Sequence, residues 1–127
     1  MIVAQLGVDA HRTDPLTHLA LDVQGFGRAV QRIAALAPRV VALGGGGYDL
    51  RNVPRMWTLA WAVLNGLELA PTLPDAFADD LRRYGFTSRS LWDDAVELPD
   101  ELKRAVSEYA DRQVDAVQQT IFPLHDL

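Results

Sequence analysis

Cysteine is absent from this 127-residue chain, so neither a disulfide framework nor a thiolate metal site can form. Positive charge is in the minority: 12 Lys and Arg against 17 Asp and Glu give a formal net charge of −5. That balance, without any Lys/Arg cluster, argues against a nucleic-acid surface. Long apolar runs are also missing. The longest, around Leu59 to Leu64, is far too short to span a bilayer. No charged segment followed by an apolar stretch marks the start as a signal peptide. These absences predict a cytoplasmic protein with neither membrane nor nucleic acid as partner, and the lack of cysteine fits a reducing compartment. There is no Ser/His/Asp or Cys/His set for nucleophilic catalysis, no internal repeat and no low-complexity segment.

What is present is an ordinary globular composition, 49% hydrophobic and 23% charged, with length for one domain. The chain is organised around Val40 to Arg55, VVALGGGGYDLRNVPR. Val40 to Leu43 read as a short buried strand. Gly44 to Gly47 follow at once, then Tyr48. A flexible linker is a poor account of four glycines set between a buried strand and an apolar helix. A phosphate cradle fits poorly as well, because the lysine and hydroxyl of G-x-x-x-x-G-K-[ST] and the G-x-G-x-x-G frame are missing. The favoured reading is a turn that presents Tyr48 and backbone groups into a cleft.

Around this stretch the elements follow in order. Met1 to Leu6 read as a strand buried on both faces, and Val8 to Leu16 as a polar loop. Asp22 is the expected N-cap of a helix, with Leu21 and Phe26 as its hydrophobic staple. Val23, Phe26, Val30, Ile33 and Ala37 form its apolar stripe, and Pro38 stops it. With the strand at Val40 this makes a β-α-β unit with parallel strands. Asp9 and Tyr48 then sit beyond the carboxyl ends of the two strands, where open α/β sheets build ligand sites. Asn52 is the expected cap of a second helix, about Val53 to Asn65, apolar nearly all round and so buried, its aromatics as core. Leu69 to Pro74 reads as an extended connector, and Asp75 to Tyr84 as a short helix ended by Gly85. Pro99 and Asp100 open a long helix with Leu102, Val106, Tyr109, Val114, Val117 and Ile121 on one face and charge on the other. Two parallel strands lack independent stability, so the chain reads as one end of a larger α/β domain.

Asp9-Ala-His11, with Asp14 and His18 nearby, suits a zinc-ligand cluster, although spacing alone favours a solvated loop in which Asp14 caps the Pro15 turn. Asp9 is the best ligand candidate, His11 a weaker one, and His18 and His125 are incidental. Tyr48 could donate to a developing oxyanion or pack on the glycine turn.

QLGVDAHRTDPLTHLAL, followed some thirty residues later by LGGGGYDLRNVPRMW, resembles the C-terminal part of the zinc-dependent histone deacetylase superfamily. The bacterial acetoin-utilisation branch is the most similar in flavour. The resemblance implies an arginase/deacetylase-like parallel-sheet sandwich, of which this chain supplies two strands and about four helices. Residues 1–66 would be the motif-bearing β-α-β-α unit and 67–127 a C-terminal helical extension. It also implies hydrolysis of an acetyl-lysine amide by metal-activated water. On that resemblance Asp9 corresponds to a Zn(2+) ligand and Tyr48 to the transition-state tyrosine. Leu16, Gly46 and Gly47 correspond to residues lining the acetyl-lysine tunnel. The family's Asp-x-His ligands and its general-base histidine pair have no match here. The expectation is therefore a partial zinc site, inactive without an N-terminal complementing chain, with self-association possible in its place. The alternative is a non-catalytic remnant or interaction module. A split gene, a truncated reading frame or a fragment would each explain the chain.

Overall fold

β1 (Ile2–Gln5) and β2 (Val40–Leu43) lie parallel, with Ile2 opposite Val40 and Gln5 opposite Leu43. Between them runs α1 (Val23–Ala35), and α2 (Val53–Leu64) follows β2. This is the β-α-β-α order read from the sequence. The computed structural model describes residues 1–125; the last two positions of the expected 67–127 extension lie outside the described residues. The chain divides into two units, Met1–Asp93 and Asp94–Leu127.

The first unit is built by two periodicities meeting. Ala4, Leu6 and Val8 recur every second residue along and beyond β1, so they share one face. Val23, Phe26 and Val30 recur at helical spacing on α1, and Met56, Leu59 and Ala60 on α2. These nine form one buried cluster. The helices touch closely where Gly27 of α1 meets Leu59 of α2, since a Cβ at Gly27 would lie 2.9 Å from a Leu59 methyl. Asp22 caps α1 as expected, its Oδ1 accepting from the Gly25 amide at 2.5 Å. The helix ends at Ala35, with Leu36 as its C-cap, so Ala37 falls outside the stripe assigned to it. Beyond α2, Leu73, Ala78, Leu81 and Leu91 make a smaller cluster around α3 (Asp75–Arg82). Gly85 ends that turn at φ +77°, and Thr72 bridges to Ser90 along the extended connector.

Three expectations are corrected. The strands are not buried on both faces: Val3, Val41 and Leu43 are 61%, 44% and 50% exposed. Only one side of the sheet meets the helical core, and β2 reaches it through Val40. Nor is α2 buried all round, because Trp61 is 57% exposed. Asn52 occupies the N-cap position, but its side chain makes no cap hydrogen bond. The carbonyl of Asp49 takes the amides of Asn52 and Val53 instead, at 2.9 and 3.1 Å.

The second unit holds α4 (Asp100–Thr120) and a short 3-10 helix, Phe122–His125. Pro99 and Asp100 open α4 as predicted. Its expected apolar face, Leu102 to Ile121, forms a stripe that stays exposed, and no residue of α4 is buried.

Candidate active site

Strand pairing continues past the regular strands and brings two loops together. The Leu6 amide donates to the Leu43 carbonyl at 2.8 Å, and the Val8 amide to the Gly46 carbonyl at 2.6 Å. Asp9 is therefore carried to the carboxyl edge of β1, directly against the glycine turn that leaves β2. A Cβ at Gly46 would overlap Oδ2 of Asp9, and one at Gly47 would stand 2.5 Å from a Val8 methyl. Gly47 also has φ +154°, a conformation side chains resist. The glycines let the carboxylate sit against the main chain. Tyr48 follows directly, 52% exposed, and Leu16 on the facing loop is 65% exposed. Asp9 thus lies against the Gly46–Gly47 turn that leads into Tyr48, and the Leu16 loop is tied to Tyr48 through Asp14, which accepts from both backbone amides.

His18 is exposed. His11 is not: it is 2% exposed and turned into the protein. Its Nδ1 accepts from the Thr13 amide at 3.2 Å and from Asn52 Nδ2 at 2.8 Å. The ring proton is therefore on Nε2, which donates to Asp93 Oδ2 at 2.9 Å. Both nitrogens are engaged, so His11 anchors the loop and offers no lone pair to a metal. The same carboxylate accepts from the Val23 amide at the start of α1 (2.9 Å) and, through Oδ1, from Arg55 Nη2 (3.0 Å). Burial alone would raise the Asp93 pKa. The hydrogen bonds from His11 and Val23, with the Arg55 charge, outweigh it and hold the carboxyl well below the usual range.

Arg55, itself 2% exposed, also donates to the Leu91 carbonyl (2.7 Å) and to Asn52 Oδ1 (2.9 Å). Its guanidinium lies 5.1 Å from the Phe86 ring centre. Asp49 accepts from Thr13 Oγ1 (2.5 Å), from Asn52 Nδ2 (3.0 Å) and from three Arg51 nitrogens, the backbone amide and two of the guanidinium. Burial opposes its ionisation, but these bonds, Arg51 foremost, bring its pKa down to about 2. A single connected set of polar groups therefore underlies both loops, and no buried side-chain donor or acceptor among the described residues lacks a partner. Sequence reading missed this layer. Asp49, Arg51, Asn52 and Arg55 crowd one short segment, which is a signal of a polar anchor. Asp93, 82 positions from His11, gives none.

Asp14 is buried, and its Oδ1 accepts from the Leu16 amide at 2.9 Å. This is the expected cap on the Pro15 turn. Among the described residues no group of three His, Cys, Asp or Glu side chains could hold a metal ion. Nor is any helix there long and apolar enough to cross a membrane.

The chain is an α/β domain in which a strand-edge carboxylate meets a glycine turn and a tyrosine at the carboxyl ends of two parallel strands. Residues 1–64 match the histone deacetylase domain, half of the chain, and the chain belongs to the histone deacetylase family. It is 39% identical over 90 residues to putative histone deacetylase 2 of Caenorhabditis elegans, covering 71% of this chain and 17% of that protein. It is 28% identical over 131 residues to the acetoin utilization protein AcuC of Bacillus subtilis, covering 98% of this chain and 34% of AcuC. The crystal structure of a histone deacetylase homolog from Aquifex aeolicus superposes with a TM-score of 0.63 at 27% identity. It covers 84% of this chain and 32% of that one; the structure of a histone deacetylase homolog complexed with SAHA superposes with the same TM-score of 0.63 and 27% identity. The fold is that of these deacetylases. The chain spans between 17% and 34% of the length of these two curated relatives.

Proposed function

We propose that this chain forms the C-terminal side of a zinc-dependent deacetylase site of the acetoin-utilisation type, acting in the cytoplasm on an acetyl-lysine amide. The observation that carries the proposal is the seating of the Asp9 carboxylate against Gly46, two positions before Tyr48, at the strand ends. Asp9 presents oxygens of the kind zinc accepts, and it is the one ligand this chain would contribute. The side chains at this edge do not fit a complete zinc site, so the other ligands and the general base come from outside these 127 residues. Upstream sequence or a separate chain could each supply them. Bound zinc would supply Lewis acidity at the substrate amide. What the chain's own groups do is narrower. The Tyr48 hydroxyl donates a hydrogen bond to the carbonyl oxygen as charge builds on it. Leu16 and the Gly46–Gly47 backbone line the path of the acyl-lysine stem, where small and apolar surfaces let an extended chain pass. That a solved histone deacetylase homolog similar to this chain is complexed with SAHA supports a ligand-binding role for this fold.

Complementation tests this reading. The chain is mixed or fused with the upstream segment of an acetoin-utilisation relative, and hydrolysis of an acetyl-lysine peptide is followed. Activity from the pair but from neither part alone, lost in Asp9→Ala, is expected. A folded complex with no hydrolysis would leave the non-catalytic interaction module as the account.

A further inference from the structure

Asp14 carries a feature that the turn-capping role does not use. Its two carboxylate oxygens are divided between the two loops of the candidate site. Oδ1 takes the Leu16 amide, and Oδ2 takes the amide of Tyr48, also at 2.9 Å and across 34 positions of sequence. Asp14 is 7% exposed, so its carboxylate is largely withdrawn from water and its bonds count for more than those of a surface carboxylate. An ionised carboxylate accepts on both oxygens and donates on neither. No neutral side chain of the same size can do this.

We infer that Asp14 is a positioning residue that clamps the tunnel-lining Leu16 and the tyrosine Tyr48 into register by holding both backbone amides with one carboxylate. The inference rests on the deacetylase reading for its catalytic consequence, but not for the clamp itself. Tyr48 leaves a turn of four glycines, whose backbone imposes little direction of its own. Its amide is the point at which the facing loop fixes where the ring begins. Because a displacement of about 1 Å can cost roughly 10²-fold in rate, a tether at the amide matters to a hydroxyl at the far end of the side chain.

Asp14→Asn separates the two bonds. Asparagine closes the same turn on Leu16 with its carbonyl oxygen, and its NH2 then faces the Tyr48 N–H, donor against donor. Asp14→Ser closes the turn with a hydroxyl too short to reach a second amide, and serves if the asparagine variant does not fold. The first readout is amide hydrogen exchange of the 127-residue chain, which needs neither metal nor substrate. Protection at Tyr48 is expected to fall roughly ten- to a hundredfold, the worth of a hydrogen bond to a charged acceptor, while Leu16, Phe26 and Met56 keep theirs. The second readout is the kcat and KM of the complemented enzyme. Asp14→Asn should lower kcat by at least about tenfold with KM little changed, and should cost little further in a Tyr48→Phe background, because it acts through that hydroxyl. Unchanged protection at Tyr48 overturns the clamp. An equal loss of kcat in the Tyr48→Phe background overturns the positioning role. An inactive complemented wild type would count against the deacetylase reading instead, and the exchange measurement would still decide the clamp.

Discussion

Replacing Asp93 by alanine should be among the most destabilising single changes in the first unit. The carboxylate is 8% exposed and receives three N–H donors: His11 Nε2, the Val23 amide and Arg55 Nη2. Without it the Arg55 charge stays buried with no carboxylate partner, left with the neutral oxygens of Leu91 and Asn52 and the Phe86 ring. Breaking a buried pair in this way costs about 3–5 kcal/mol, a fifth or more of the roughly 5–15 kcal/mol that stabilises a domain. Asp93→Asn separates charge from volume. The side chain keeps its size, but its NH2 must face at least one of the three donors, so most of the loss should remain. Urea unfolding at low protein concentration, followed by tryptophan fluorescence, reads the difference, and Trp92 beside the network is a local reporter. The pH dependence gives an independent check. Asp93 is depressed below the ordinary value of 3.8 in the folded chain, and Asp49 to about 2. Groups with depressed folded pKa contribute stability that is present above about pH 4 and lost as pH falls toward 2 and below. The native chain should therefore lose stability over that window more steeply than Asp93→Asn. An asparagine variant within about 0.5 kcal/mol of native, with the same acid profile, would show that the ion network is not what joins the loop, α1 and α2.

Other outcomes follow from the same structure. The exposed apolar surface of Val3, Val41, Leu43 and Trp61, beside unpaired strand edges, should make the isolated chain self-associate. Light scattering of a dilute sample that reports a monomer with a sharp, reversible thermal transition would contradict this. Zinc binding to the isolated chain should be weak, since Asp9 belongs to no group of three His, Cys, Asp or Glu side chains among the described residues that could hold a metal ion. A nanomolar stoichiometric site in calorimetry, abolished by Asp9→Ala, would refute that assignment. Gly46→Ala must push the Asp9 carboxylate aside, and in the complemented enzyme it should cost roughly 10²-fold in kcat. Gly44→Ala, whose added methyl would meet only Trp57 at 3.6 Å and beyond, should change kcat little. Equal effects of the two would refute the seating of Asp9.

Much of the first unit was legible because its signals are local. The short apolar run in MIVAQL, the Asp22 cap and the 3.6-residue stripe of α1 each specify an element within a few positions. The edge that carries Asp9 and Tyr48 follows from parallel strands alone, since the carboxyl ends of such strands lie together. Burial was less legible. Val41, Leu43 and Trp61 are residues that favour a core, but hydrophobicity states a preference and not the presence of a neighbour to satisfy it. The face of α4 from Leu102 to Ile121 is the same case. Asn52 misled for a different reason. A helix-start asparagine usually caps, yet here His11, Thr13, Asp49 and Arg55 compete for its amide and win. Asp93 and the second bond of Asp14 depend on contacts across 70 and 34 positions, and no periodicity reports those.

The most direct test of the account is Tyr48→Phe in the complemented enzyme. The substitution keeps the ring and its packing and removes only the hydroxyl. An oxyanion donor acts as charge develops, so kcat should fall by about 10²–10³, roughly 3–4 kcal/mol, with a much smaller change in KM. A phenylalanine variant that keeps near-native kcat would make Tyr48 a packing residue, and the catalytic assignment of the glycine turn would be wrong.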